Sequence, residues 1–390
     1  MTMTRKLFAM SLAALLIMAF TIPVMAAEKE PYKIGAVFSV TGRASFIGDP
    51  EKKTTEMLTD QVNAAGGING HPLEVIIYDD KSDDTDARLL VNRLIKKDKV
   101  VAIIGPSLSG TSLAVVDLVK KYKIPLLSCA ASWKIVTNPN TKKERHWVFK
   151  TTQRDSHAVG RIYDFLKSKG TKKIAILTVT TGFGASGREQ LIRLAPKYGF
   201  TIVSDEKFGP KDTDMTVQLT RIRGTGAQAI VGWSIGPTQV TMVRNWRDLG
   251  MTNIPFYQSH GFGSKKNIEL AAGAAEGVFC PMAAVSLARL VPDDHIQKKV
   301  TMKYNQDYEK RYGEPVSAFG GNSWDAFSLL VDALKAVGPN KKKIRDYLEN
   351  RKDFIAQSGV YNFSPSDHNG LTKDSFEIVV VKGGDWAIPQ

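Results

Sequence analysis

Sulfur and histidine are scarce in this 390-residue chain, which has two cysteines, Cys129 and Cys280, and six histidines. That excludes a framework built on disulfides, and neither residue type clusters at zinc-ligand spacing. The two cysteines are far apart in sequence; they could pair in an oxidising compartment or persist as thiols, and two buried free thiols is the reading adopted. HExxH and the GxxxxGK phosphate loop are missing, and the serines of the GPSLSG and GFGASG loops lie outside a GxSxG elbow. No paired carboxylates stand at the strand ends of the expected cleft, so glycoside chemistry lacks its machinery. An exported enzyme is therefore the weaker reading. The chain also lacks an apolar run of the roughly 18 residues that a membrane span needs.

What is present begins with an address. Arg5 and Lys6 precede the apolar stretch Leu7 to Phe20, and Val24, Met25 and Ala26 offer a small-residue cleavage site. This is the pattern of a secretory signal over residues 1–26, which predicts an exported protein with no membrane span and no cysteine for a lipid anchor at the mature start. Charge is the next feature. A formal net charge of +14 suits small anions, but Lys and Arg are interspersed with Asp and Glu, which argues against nucleic acid. The remaining length is enough for two domains, each with its own core.

Strand and helix patterns alternate almost from end to end, the signature of an α/β fold. The central stretch is Val100 to Ser112, VVAIIGPSLSGTS: an apolar β-branched run, a Gly/Pro turn, then helical spacing from Leu113. A helix start of this kind exposes backbone N–H groups, and Ser109 and Thr111 add hydroxyls, so the loop can seat a carboxylate; the plainer reading is that both hydroxyls cap the helix. The next strand, Ile124 to Ser128, ends in CAASW, so two small polar loops converge at neighbouring strand ends, where open parallel sheets bind ligands. A helix is predicted from Asp49–Pro50, and the acidic residues between Asp79 and Asp86 read as helix caps, not as a calcium loop. After Lys150 the alternation starts afresh, implying a second similar unit. Long helices over 293–312 and 323–337 are predicted to return to the first unit, with chain crossings near Lys150, Pro281 and Ile355. Lobe one is thus 27–150 plus 282–355, and lobe two 151–281 plus 356–390.

The motifs KIGAVFSVTG (33–42), VNAAGGING (62–70), LEVIIYDD (73–80), AIIGPSLSGTS (102–112), GFGASG (182–187) and AFGGNSWDA (318–326), in this order, resemble the leucine/isoleucine/valine-binding branch of the periplasmic solute-binding proteins of ABC importers. The resemblance implies the type I periplasmic binding fold: two Rossmann-like lobes joined by three crossovers, with ligand in the cleft and hinge closure over it. It also implies no cofactor, no metal, a periplasmic monomer and a permease–ATPase complex as partner. Ser109 matches the family's carboxylate-binding serine, Ala130 and Ser132 a backbone and a hydroxyl contact on the next loop, Phe183 an aromatic cover from the second lobe, and Ile235 another wall residue. Phe46 and Ile47 are expected at the floor and Trp133 beside a ligand ring. One position departs from the pattern: where amino-acid binders of this branch place an acid for the ligand's ammonium, this chain has His260, and no Asp or Glu occurs between Gln258 and Lys266. Imidazole is a poor partner for a cation. The expected ligand is a small carboxylate with an apolar or aromatic body, either a hydrophobic amino acid whose ammonium finds an acid elsewhere or an acid without an amino group. A soluble ligand-sensing receptor is the alternative role.

Overall fold

The structure is a computed structural model that describes residues 29–389, so the signal sequence expected at 1–26 lies outside the described residues. Two sheets organise the chain. The first holds β1 (Tyr32–Phe38), β2 (Leu73–Asp79), β3 (Ile103–Ile104), β4 (Leu126–Ser128) and β5 (Val148–Lys150), all parallel, in the order β2-β1-β3-β4-β5. The helices α1 (Ser45–Ala64), α2 (Asp84–Lys96) and α3 (Ser109–Tyr122) connect its strands. The second unit runs α4 (Asp155–Ser168), β6 (Lys173–Val179), α5 (Gly182–Tyr198), β7 (Thr201–Phe208), α6 (Thr216–Arg223), β8 (Ala229–Trp233), α7 (Pro237–Asp248), β9 (Phe256–Gln258), α8 (Lys265–Ala271) and β10 (Phe279–Met282). Helices α9 (Lys298–Tyr312), α10 (Ala318–Val337) and α11 (Lys341–Glu349) follow, then the short pair β11 (Phe354–Ile355) and β12 (Val360–Tyr361), and finally β13 (Glu377–Lys382) and β14 (Asp385–Ala387). The second sheet has the order β14-β13-β10-β9-β8-β6-β7, parallel from β7 to β10, with β13 and β14 added antiparallel at one edge.

Each sheet is covered on both faces, as parallel sheets require. One face of the first sheet packs Ile34, Ala36 and Phe38 against Met57, Tyr304, Tyr308, Phe327 and Leu330, which brings α1, α9 and α10 together. The other face packs Val37 and Ile103 against Val91, Leu94, Val115 and Val119 of α2 and α3. The second sheet has two such cores of its own. The result is four apolar layers in two lobes, one on each face of each sheet.

Several boundaries differ from the sequence reading for identifiable reasons. Helix α1 starts at Ser45, ahead of Pro50, which sits inside it and forgoes a single helical N–H. Helix α9 starts at Lys298, not Asp293, because Pro292 to His295 form a turn. Helix α10 starts at Ala318, with Ser317 accepting from the Gly320 N–H. Gly320 and Gly321 look like helix breakers in sequence, yet a Cβ on Gly320 would stand 2.4 Å from the Tyr304 hydroxyl, so close helix packing requires the glycine. The last crossing comes later than the expected Ile355: Tyr361, Phe363 and Leu371 belong to the first-lobe core, and the chain rejoins the second sheet only at Glu377. The acidic residues near Asp83 do cap, since the Asp83 carboxylate accepts from the Thr85 and Asp86 N–H groups. Cys129 and Cys280 are buried free thiols, one in each lobe's core.

Gly187 of α5 lies over the fully buried Trp233, where a Cβ would fall 2.0 Å from the indole Nε1. Gly187→Ala is expected to lower unfolding free energy by about 1–3 kcal/mol in urea titration. Gly273→Ala, with nothing within 4 Å of the new atom, serves as the near-neutral control.

Candidate functional site

The strand β3 ends at Gly105, whose φ of +86° and whose approach to the Val37 carbonyl, 2.2 Å from a hypothetical Cβ, admit only glycine. This sharp exit aims residues 107–109 into the space between the lobes, where α3 begins. Thr111 is not a ligand contact as expected: its Oγ1 donates to the Leu108 carbonyl and accepts from the Leu108 N–H, which makes it a cap. Ser112 is likewise engaged, with the Pro106 carbonyl and Ser128. Ser109 is different. Its Oγ accepts from the Ser132 N–H at 3.2 Å, leaving its own proton for the cleft that it lines.

That cleft encloses about 660 Å³, part of it open to solvent. Ile47, Ser109, Ala130, Phe183, Ile235 and His260 line it, as the sequence reading placed them. Ser132, Trp133 and Phe46 do not. The Ser132 hydroxyl donates across the lobes to Ser186 Oγ at 2.8 Å, which in turn donates to Asp155 Oδ2 at 2.5 Å. Trp133 is half-buried away from the cleft, its ring 5.8 Å from the Lys134 ammonium and 5.6 Å from that of Lys142. Phe46 stands behind Phe319, edge to face at 5.8 Å, and lines a smaller adjoining hollow. Sequence reasoning missed Ser107, Gln153, Met282, Ser286, Phe319 and Phe376, all on the cleft wall. Phe319 and Asn322 lie in the AFGGNSWDA motif, whose glycines already marked a close approach.

The second lobe supplies an aromatic wall. Phe183, Trp233 and Phe376 surround the His260 ring with centroids 5.5–5.7 Å away. His260 is half-buried, and its Nδ1 is closed off from solvent without a hydrogen-bond partner. Burial, and then the Lys150 ammonium, push the imidazole down to about 3, so it is neutral. Lys150 itself is fully buried where the chain leaves the first lobe; its Nζ donates to the carbonyls of Ala131 at 2.6 Å and Gln153 at 3.0 Å. Burial lowers the Lys150 ammonium and raises the Asp155 carboxyl nearby. None of the residues lining the cleft is Asp, Glu, Lys or Arg.

One GxSxG match does exist, GWSIG at Gly232 to Gly236, where β8 turns toward α7. Its Ser234 is fully buried and bonded to Thr238 Oγ1 at 2.7 Å, so it presents no nucleophile to the cleft.

Residues 31–385 match the family model described as periplasmic binding protein. The chain belongs to the periplasmic binding protein family. An extracellular ligand-binding receptor from Rhodopseudomonas palustris HaA2 superposes with a TM-score of 0.85 at 27% identity, covering 93% of this chain and all of that one. The branched-chain amino acid substrate-binding protein LivJ of Streptococcus pneumoniae, solved with isoleucine, gives 0.80 at 25% identity, covering 92% and 98%. In sequence, the leucine-, isoleucine-, valine-, threonine- and alanine-binding protein of Pseudomonas aeruginosa is 24% identical over 84% of this chain and 83% of its own. These relatives are solute-binding proteins, not enzymes, and the two-lobed fold is that of a type I periplasmic binding protein. No described helix is long and apolar enough to cross a membrane.

In this binding protein the His260 imidazole is expected to stay uncharged down to about pH 4. A pH titration of its ring nitrogens by NMR checks this, and a midpoint near 6.5 contradicts the enclosed wall described above.

Proposed function

We propose that this protein is the periplasmic substrate-binding component of an ABC importer and that it carries a small carboxylate with an apolar body and no α-ammonium group. The observation that carries this reading is the cleft's uncharged wall. A zwitterionic ligand needs an anionic or strongly accepting partner for its ammonium, because burying that charge unpaired costs several kcal/mol, on the order of 3–5. A carboxylate needs donors, and here the Ser109 hydroxyl, free to donate, stands on the cleft wall at the start of α3, with the helix dipole adding to it. Ile47, Ile235, Phe319 and the Phe183–His260–Phe376 wall suit an aliphatic or aromatic body. The basic net charge favours arrival of an anion.

In the proposed cycle the ligand docks by its anionic end on the first lobe, and Phe183 and His260 of the second close over it by hinge motion about the three chain passages. The ligand's greater affinity for the closed form supplies the shift. A permease and its ATPases receive the ligand unchanged. The names of the relatives favour a second ligand class, branched-chain amino acids, for which an ammonium partner would have to come from backbone carbonyls.

Calorimetry on ligand-free protein distinguishes the classes. Benzoate and 4-methylpentanoate are expected to bind, with leucine at least roughly a hundredfold weaker, the cost of about 3 kcal/mol for an unpaired ammonium. Tight leucine binding with neither acid bound defeats the ligand assignment. Ser109→Ala is expected to weaken acid binding by about 1–3 kcal/mol, since a desolvated carboxylate loses a charge-assisted donor; unchanged affinity removes Ser109 from the seat.

A further inference from the structure

Behind the carboxylate seat lies a buried acid that the binding reading does not use. Glu51, on α1, is fully enclosed, and its Oε2 makes a short contact with Oγ of Ser107, a buried residue of the cleft wall. Its Oε1 is buried and has no hydrogen-bond partner. The groups that act on its carboxyl are Ser107, which also accepts from the Ser39 N–H, Asp80 at the end of β2 and the Cys129 thiol beyond β4, while the Ser323 hydroxyl of α10 donates to the Glu51 backbone carbonyl. None of these is a cation. Lys53, on the same helix, is committed to Asp49 and Glu314. A carboxylate here would be a buried charge beside Asp80 and directly behind an anion site. Burial pushes Glu51 well above the usual carboxylate range, and Asp80 adds to the rise while the Ser107 contact opposes it.

Counting protons at Ser107 gives the consequence. Its Oγ already accepts from the Ser39 N–H at 3.0 Å. If Glu51 carries a proton toward Ser107, that oxygen accepts twice, and its own proton is freed for a third partner, which a ligand in the cleft beside Ser107 can be. If Glu51 is ionised, Ser107 must donate to it, and the cleft loses a donor and gains a nearby negative charge. We infer that Glu51 is a positioning residue for the ligand: as a neutral acid it donates to Ser107 Oγ and so commits the Ser107 hydroxyl, beside that of Ser109, as a second donor to the incoming carboxylate. This rests on the proposal that the cleft binds a carboxylate, but the state of Glu51 can be read without any ligand.

The test uses wild type, Glu51→Gln and Ser107→Ala. Glutamine keeps the shape and donates an N–H to Ser107 as the acid does. In ligand-free protein, the infrared difference between wild type and Glu51→Gln is expected to show a protonated carboxyl band and no carboxylate band. The unfolding constant of wild type relative to Glu51→Gln is expected to rise about tenfold per pH unit from pH 5 to 7. The sign follows from an acid that ionises on unfolding and stays neutral when folded: its stabilisation is full below the unfolded pKa and lost as pH climbs toward the folded one. With benzoate and 4-methylpentanoate as probes, Glu51→Gln is expected to bind within threefold of wild type, with the same flat profile from pH 6 to 8, and Ser107→Ala about tenfold more weakly. A carboxylate band, a flat unfolding difference, or tenfold tighter acid binding by Glu51→Gln overturns the inference. If neither acid binds wild type, the ligand assignment fails, while the infrared and unfolding results still decide the charge on Glu51.

Discussion

The structure depends on how hydroxyl protons are directed at the start of α3. Thr111 and Ser112 are used up in holding the turn, whereas Ser109 accepts from the neighbouring loop and keeps its proton free. The turn can be this tight because Gly105 passes within contact distance of β1. A seat built from neutral donors is suited to an anion that arrives and leaves: the attraction is short-ranged and requires no fixed countercharge to be stripped of water in the empty cleft.

The charged groups nearest the site are kept behind its wall, and there they join the lobes. Lys150 fastens the exit of β5 to the carbonyls of Ala131 and Gln153, while Asp155 anchors Ser186, the acceptor of the Ser132 hydroxyl. Ser132 therefore connects the two halves at the edge of the cleft. A hypothetical Cβ on Gly182 would lie 3.4 Å from the Gly110 N, so the starts of α3 and α5 meet face to face beside the same chain of hydroxyls. Contact between lobes and shape of the cleft are thus set by the same few small residues.

Much of this was legible in the sequence because it depends on local pattern. The apolar strands, the Gly/Pro turn after Ile104 and the renewed alternation beyond Lys150 are periodic signals, and they located the Ser109 loop and the loop after Ser128 at neighbouring strand ends; Ala130, Phe183, Ile235 and His260 were reached through the resemblance of the motifs to the solute-binding family. What escaped was the direction of individual side chains. Ser132, Thr111 and Trp133 occupy the right loops, but their hydrogen bonds and ring contacts point elsewhere, and direction is a property of tertiary neighbours that spacing does not encode. Phe319 and Asn322 escaped because Gly320 and Gly321 disguise the start of α10. Glu51 escaped because an acid in the first turns of an amphipathic helix ordinarily faces water, and only packing against Ser107 and α10 shows it enclosed.

The most direct test of the account is a crystal structure of the protein with bound benzoate. The carboxylate is expected within about 2.6–3.0 Å of Ser107 Oγ and Ser109 Oγ, with the ring against Phe183 and His260. A carboxylate lying away from both hydroxyls, or a ring outside the cleft between the lobes, contradicts it.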